Sequence, residues 1–271
     1  MAGDLSDEIL ERALSGRFGR YRRVYDSIDS TNLEALRWAA EEGAPEGALV
    51  VADVQTTGRG RWGRSWLAEP GRALMFSAVL RPSDGAAARL LSTAAGLAVA
   101  EGIDKTCGIE TRLKWPNDVL AGDRKLGGIL VESRSTGHAL DAFVVGVGIN
   151  LYLSRGDLPD EVAERATSIS AQVADVTGGI VPARAELLGA ILLELETVLQ
   201  SMTTMEGWAE VVRRAERRSA VIGGRVVVRY ADGRTSEGRA TGLSAEGGLV
   251  LDDRTTVTAG EIELLRPAPR R

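Results

Sequence analysis

Hydrophobic positions follow two different periods along the chain, and the change from one to the other divides it. Ile9, Leu10, Ala13 and Leu14 outline a short amphipathic helix within residues 1–24, which otherwise read as a connector. From Ser30-Thr31-Asn32 to about Glu42, the spacing of Leu33, Leu36 and Ala40 predicts a helix with one buried face. Ser30 or Thr31 would cap its start, and Gly43 and Pro45 would end it. Apolar runs at 48–54, 73–80, 112–115, 127–132 and 142–147 predict strands of a mixed sheet. Helical patterns at 86–103, 183–200 and 206–218 supply its cover. After Ser219 only short β-runs remain, at 225–230, 239–243, 249–251, 255–258 and 262–264, with Asp232-Gly233 and Gly247-Gly248 placed as hairpin turns. Five short strands in so few residues predict a small SH3-like barrel. The expected domains are therefore 1–218 and 219–271, in an α+β chain.

Composition narrows the function classes. The 271 residues are 44% apolar, enough for one substantial core and an accessory domain. No apolar run is long enough for a membrane span, and the acidic start Asp4-Leu5-Ser6-Asp7-Glu8 is unlike a signal peptide. A cytoplasmic protein is expected. A net charge of −5 argues against nucleic acid as the main ligand. With one cysteine, Cys107, and one histidine, His138, the chain offers no internal disulfide, no zinc site and no Ser-His-Asp or Cys-His system. Among 33 basic residues only Lys105, Lys114 and Lys125 are lysines. Either they are chance survivors in an arginine-rich composition, or a compact ammonium is needed where a guanidinium fork will not serve.

The loop Gly58-Arg59-Gly60-Arg61-Trp62-Gly63-Arg64 follows a predicted strand and matches G-x-G-x-x-G. A dinucleotide fingerprint requires a helix opening at the third glycine, and here Pro70-Gly71 intervene; a P-loop requires Gly-Lys-Ser/Thr, which is absent. What remains is either a solvated surface loop or a flexible polyanion-binding loop of arginines and exposed amides. In Lys114-Trp115-Pro116-Asn117-Asp118 the proline ends a strand. Asn117 and Asp118 then form either a plain turn or a site for Mg²⁺ on a nucleotide phosphate, with Asn150 at the end of a further buried strand as a second oxygen donor. Gly127-Gly128 would let backbone pack against a flat ligand. An enzyme built this way works through cations and alignment. Adenylation of a carboxylate fits, because the carboxylate is itself the nucleophile and no general base is needed.

Taken in order, Asp29-Ser30-Thr31-Asn32, Gln55 with Gly58-Arg59-Gly60-Arg61 and Gly63-Arg64-x-Trp66, Lys114–Asp118, Arg124-Lys125-Leu126-Gly127-Gly128-Ile129-Leu130, Gly146-Val147-Gly148-Ile149-Asn150 and Ala166-Thr167-Ser168-Ile169 resemble the motifs of the biotin–protein ligase family. Gly127 departs from them, since the family usually has alanine there. The resemblance implies a class II synthetase-like mixed sheet flanked by helices, with the SH3-like domain behind it. It also implies a ligase-only member without an N-terminal DNA-binding domain. Its reaction would join biotin and ATP, with Mg²⁺, into biotinyl-5′-AMP, and then transfer biotin to a lysine of the carrier domains of biotin-dependent carboxylases. In that picture Ser30, Thr31, Asn32, Gln55, Arg59, Gly60, Arg61, Lys125, Gly127 and Gly128 bind biotin. Arg61, Lys114, Asn117, Asp118 and Asn150 serve ATP, Asp118 and Asn150 meet the metal, and Arg61, Lys114 and Lys125 are catalytic. Apolar groups near Trp62 and Ile129 would shield the mixed anhydride. The chain would act as a monomer or homodimer, without nucleic acid or membrane partners. Two other readings stay open: a lipoate–protein ligase of the same fold, and a non-enzymatic regulator that binds the adenylate.

Overall fold

The computed structural model describes residues 3–82, 85–136, 139–153, 160–174 and 179–265; His138 lies outside them. The elements are α1 (Asp7–Ala13), β1 (Arg22–Ile28), α2 (Thr31–Glu41), β2 (Leu49–Gln55), β3 (Ala73–Leu80), α3 (Gly85–Cys107), β4 (Thr111–Lys114), β5 (Asp118–Ala121), β6 (Arg124–Thr136), β7 (Ala139–Asn150), α4 (Asp160–Ala163), α5 (Ile169–Val173), α6 (Arg184–Ser201), α7 (Met205–Arg217), β8 (Arg225–Arg229), β9 (Thr235–Leu243), β10 (Leu249–Leu251), β11 (Thr256–Val257) and β12 (Glu261–Leu264). Among the described residues no helix is long and apolar enough to cross a membrane.

Seven strands form one mixed sheet in the order β1-β2-β3-β7-β6-β5-β4. Only β1 and β2 are parallel, joined through α2. Because side chains alternate across a sheet, one set (Leu49, Val51, Leu74, Phe76, Val145, Val147) packs into the main core under α3 and α6. The opposite set (Val50, Val79, Val144) meets Ala35 and Ala39 of α2. Both faces are thus covered, and β3 is buried along its whole length.

Three expectations need correction. Strand β1 starts inside the segment read as a connector and runs on through residues given no element, because Arg22, Arg23 and Asp26 break any apolar pattern. It is an edge strand, where charge is tolerated and blunts edge pairing. Arg22 there meets Asp7 and Glu11, while Arg23 meets Glu34 and Glu42. Residues 118–121 form a strand, β5, rather than extending a turn; Asp118 opposes Lys114 on one side and Gly128 on the other. Finally, of the expected inward residues of α2, Leu36 is partly buried against the sheet, Leu33 is half-buried and Ala40 is exposed. The fully buried positions are Thr31, Asn32, Ala35 and Ala39, whose small or polar side chains let the helix sit close to the sheet, with Glu34 buried beside Arg23, Tyr25 and Arg37.

The second sheet is antiparallel, in the order β11-β10-β9-β8-β12, around Val226, Val228, Ala240, Leu249 and Val257. Trp115 from the large sheet completes this core and donates its indole N–H to the Gly247 carbonyl at 2.9 Å. Residues 218–220 lead into the small sheet while hydrogen-bonding Leu113 of β4 through both its N–H and its C=O. The start of the chain is fixed as well. Arg184, buried at the head of α6, bridges Asp4 at 2.7 Å and Asp53 of β2 at 2.5 Å.

Candidate active site

The site lies on the α2 face of the large sheet, beyond the N-terminus of that helix. Ser30 caps α2 by accepting from the Leu33 N–H. Asp29 beside it pairs with Arg37, whose hydrogen bonds hold the Asp29 carboxyl below the usual carboxylate range. Capping leaves Thr31 and Asn32 facing the sheet, and both are buried. The Gln55 side-chain oxygen at the end of β2 accepts from the Thr31 N–H at 2.8 Å and from its hydroxyl at 3.1 Å. Ser77 of β3 lies 2.8 Å from the Thr31 hydroxyl and 2.6 Å from Asn32 Oδ1. Asn32 Nδ2 donates to the Leu130 carbonyl and to Glu132 Oε2. This half of the site is a chain of short, mostly neutral hydrogen bonds. It requires glycine at 146, where a Cβ would fall 2.0 Å from Asn32 Oδ1.

The floor continues across Gly128 and Gly148, which oppose each other on β6 and β7. Trp66 lies on it: a Cβ at Gly148 would come within 2.6 Å of the indole ring, and one at Gly128 within 3.6 Å. The indole N–H is buried without a hydrogen-bond partner, an uncommon and costly state for such a donor. Gly127 is different. Its missing Cβ faces the Gly148 carbonyl at 2.8 Å, so its close approach is to strand β7 and not to a ligand surface. Apolar groups near Trp62 and Ile129 were expected to shield a reactive anhydride; Ile129 itself is buried in the main core and Trp62 is 45% exposed. Trp66 is the aromatic residue that covers the floor.

Across the floor from the neutral network stands a charged cluster. Lys125 of β6 pairs with Asp118 of β5 at 2.5 Å, and its ammonium is 5.9 Å from the centre of the Trp66 ring. Lys114 stands opposite Asp118 in the β4–β5 register. The Lys125 backbone is held by 165–167, its N–H on the Arg165 carbonyl and its C=O on the Thr167 N–H. Asn150 ties into the same segment by donating to the Thr167 carbonyl at 3.0 Å. Asn117 donates to the Ile129 carbonyl at 2.7 Å. Each amide nitrogen of Asn117 and Asn150 thus holds a backbone carbonyl through one N–H, leaving the side-chain oxygen and the second N–H of each to meet a ligand.

The arginine loop forms a hairpin over this floor. Trp66 N–H bonds to the Gly58 carbonyl, Gly60 N–H to the Arg64 carbonyl, and a tight 3₁₀ turn at 61–63 places Trp62 and Gly63 at positive φ. Arg59 reaches Glu132 at 3.2 Å. Arg61 donates to the Gly260 carbonyl at 3.1 Å, and Arg64 pairs with Glu261, so the small sheet holds the tip of the loop. Burial lowers the pKa of Arg61 by withdrawing its cation from water, against the charges of Glu261 and Asp118. A partly desolvated guanidinium with no carboxylate in direct contact among the described residues favours an incoming anion.

Ser77, Glu132 and Trp66 were not assigned roles from sequence. The first two sit in ordinary strand runs and acquire a role only by lying beneath α2 and the loop. Trp66 belonged to a recognised motif, and the small residues Gly128 and Gly148 were the available sign that something bulky packs there.

The chain matches the family model described as the Biotin/lipoate A/B protein ligase family over residues 24–150, and that of the biotin protein ligase C terminal domain over residues 221–265. It is 35% identical over 272 residues to the biotin–[acetyl-CoA-carboxylase] ligase of Mycobacterium tuberculosis, covering 97% of this chain and 96% of that relative. It is 33% identical over 251 residues to the bifunctional ligase/repressor BirA of Bacillus subtilis, covering 92% and 75%. Among solved structures, the biotin protein ligase from Aquifex aeolicus in complex with biotin and ATP aligns with a TM-score of 0.74 at 29% identity, over 91% of this chain and 99% of that one. The sequence motifs, the two-sheet architecture and these relatives agree, and the chain belongs to the biotin protein ligase family.

Proposed function

We propose that the chain activates biotin with ATP and transfers it to a lysine of the biotin carrier domain of a carboxylase. The observation that carries this reading is the pairing, on one glycine floor under Trp66, of a neutral hydrogen-bond network with a cluster of fixed charges. A uniformly charged pocket would suit a nucleotide alone, and a uniformly neutral one would give no help to a phosphoryl transition state. Here Ser30, Thr31 and Gln55 offer donors and acceptors for the ureido group of biotin. Its carboxylate then points towards Lys125, beside the Trp66 ring that covers Gly128 and Gly148. Arg59, Gly60 and Arg61 close from above.

In the first half-reaction a biotin carboxylate oxygen attacks the α-phosphorus of ATP, forming the C–O–P bond of the mixed anhydride as the bond to pyrophosphate breaks. Neither group needs a proton removed, which suits a site with no histidine among its described residues. Lys125 and Arg61 reduce repulsion between the carboxylate and the phosphate, and Lys114 neutralises charge on the leaving side. In the second half-reaction the neutral amine of the carrier lysine attacks the acyl carbon. AMP leaves with the bonding pair, and the amine proton passes to solvent.

Among the described residues no three histidine, cysteine or acidic side chains gather into a metal cage. One carboxylate, Asp118, with the Asn150 side-chain oxygen, fits an ion that arrives on the nucleotide, since Mg²⁺ keeps most of its waters and takes one or two carboxylates plus phosphates. When bound there it would neutralise phosphate charge. Asp118 would then exchange its contact with Lys125, freeing the ammonium for the biotin carboxylate.

The test is pyrophosphate release from ATP and Mg²⁺ with biotin or with lipoate, followed by mass analysis of an added carrier domain. Biotin-dependent release and a single biotinylated lysine are expected. Release with lipoate and none with biotin would replace this reading by the lipoate one.

A further inference from the structure

We infer that Glu132, on β6, is a positioning residue that sets the arginine hairpin against the N-terminus of α2, acting on biotin through Arg59. The inference rests on the biotin reading above, and its test separates the two.

Each carboxylate oxygen of Glu132 has its own partner. Oε1 lies 3.2 Å from the Arg59 guanidinium, and Oε2 accepts from Asn32 Nδ2 at 2.8 Å. An isolated pair whose arginine is 46% exposed would contribute little, because ordering two long side chains offsets the Coulomb gain. Glu132 differs from such a pair in being ordered already. Its Asn32 partner is 4% exposed, is bonded on its other edge to Ser77, and cannot withdraw over Gly146. Arg59 therefore docks on a carboxylate fixed by the buried network, and the ordering cost falls mainly on one side chain. The same hydrogen bonds run from Glu132 through Asn32 and Ser77 to Thr31 and Gln55. The loop root returns to that end of the chain, where a Cβ at Gly58 would lie 3.3 Å from Gln55 Cβ. Roof and wall of the biotin pocket are thus registered to one another through a single carboxylate on the strand between them.

Glu132→Gln, Arg59→Met and the double variant are compared. In the unliganded protein, Glu132→Gln should speed tryptic cleavage at Arg59, Arg61 and Arg64 several-fold with little change in thermal midpoint. This readout needs no biotin. By calorimetry Glu132→Gln should weaken biotin binding about tenfold, the size of one charge-assisted hydrogen bond. Turnover at saturating biotin should stay within about twofold, as expected for contacts shared by ground and transition states. In the Arg59→Met background the Glu132 substitution should add almost nothing. Unchanged cleavage and binding, or an equal Glu132 effect in both backgrounds, would overturn the inference, the second outcome reducing Glu132 to a prop for Asn32. If cleavage speeds as expected but even the wild type binds no biotin, the positioning holds and the biotin assignment falls. Should Glu132→Gln fail to fold, Arg59→Met, altered only at an exposed side chain, must show the same faster cleavage at Arg61 and Arg64.

Discussion

The two halves of the site are built on opposite principles. On the side of α2 the polar atoms are buried and satisfied by one another: Gln55 by Thr31, Thr31 by Ser77, Ser77 by Asn32. On the side of β4 and β5 the groups are charged and partly exposed, Lys125 at 37% and Asp118 at 23%, and they are paired across a small gap or held by the small sheet. A satisfied neutral network is rigid before ligand arrives and rejects what it cannot hydrogen-bond. A charged cluster with exchangeable partners accepts an anion at little reorganisation cost. With biotin recognition proposed for one side and the phosphoryl chemistry for the other, the two are separated in space, so substitutions on the two sides should change different constants.

The largest effect is expected on the charged side. Lys125→Arg keeps the charge but widens the group beside Asp118 and under the hairpin, where a compact ammonium fits between carboxylate and phosphate. Single-turnover formation of the adenylate should fall roughly 100- to 1,000-fold, the usual loss of about 2.7–4 kcal/mol for a transition-state contact. Lys114→Arg should follow it, while biotin affinity changes little for Lys114→Arg. Near-normal rates in both variants would show that charge alone suffices and would erase the chemical side of the comparison.

On the neutral side, Thr31→Val keeps shape and removes the hydroxyl that joins Gln55 to Ser77. Leaving buried polar partners unsatisfied costs about 1–3 kcal/mol. Biotin dissociation constants should rise roughly tenfold, equally at low and high salt, since no charge is touched. A salt-dependent loss would mean that the two halves are electrostatically coupled.

Much of this contrast was legible in the sequence. Ser30-Thr31-Asn32 announced a capped helix, and the two motif lysines announced charge. The strand β1 was hidden by its arginines, and the inward face of α2 was only partly read, because Leu36 meets the sheet at its margin while alanine and asparagine fill the close contact. Ser77 and Glu132 were invisible for a different reason. Their partners lie 45 and 100 positions away along the chain, and no local pattern reports a hydrogen bond of that span.

A smaller effect tests whether the small sheet serves only the charged side. Glu261→Gln removes the partner of Arg64 at a largely exposed contact, with Arg64 66% exposed. Such pairs contribute about 0.2–1 kcal/mol. The Michaelis constant for ATP should rise a few-fold at low salt and converge on the wild type at high salt, with biotin binding unchanged. An equal rise for biotin would show that the hairpin transmits the small sheet to both halves.

The smallest effect is the one that keeps the lysine argument honest. Lys105 shares the rarity of Lys114 and Lys125 but sits on the outer end of α3, where it pairs with Glu194 at 2.5 Å and is 66% exposed. No geometry there selects an ammonium, and a guanidinium would make the same contact with an added donor. Lys105→Arg should therefore leave adenylate formation unchanged and shift stability by no more than about 0.5 kcal/mol, the range of ordinary surface substitutions. Stopped-flow rates and denaturant midpoints for the three Lys→Arg variants belong in one series. If Lys105→Arg slowed the chemistry as much as Lys125→Arg, rarity in the composition would carry no information about mechanism, and the charged half of the site would have to be argued from its geometry alone.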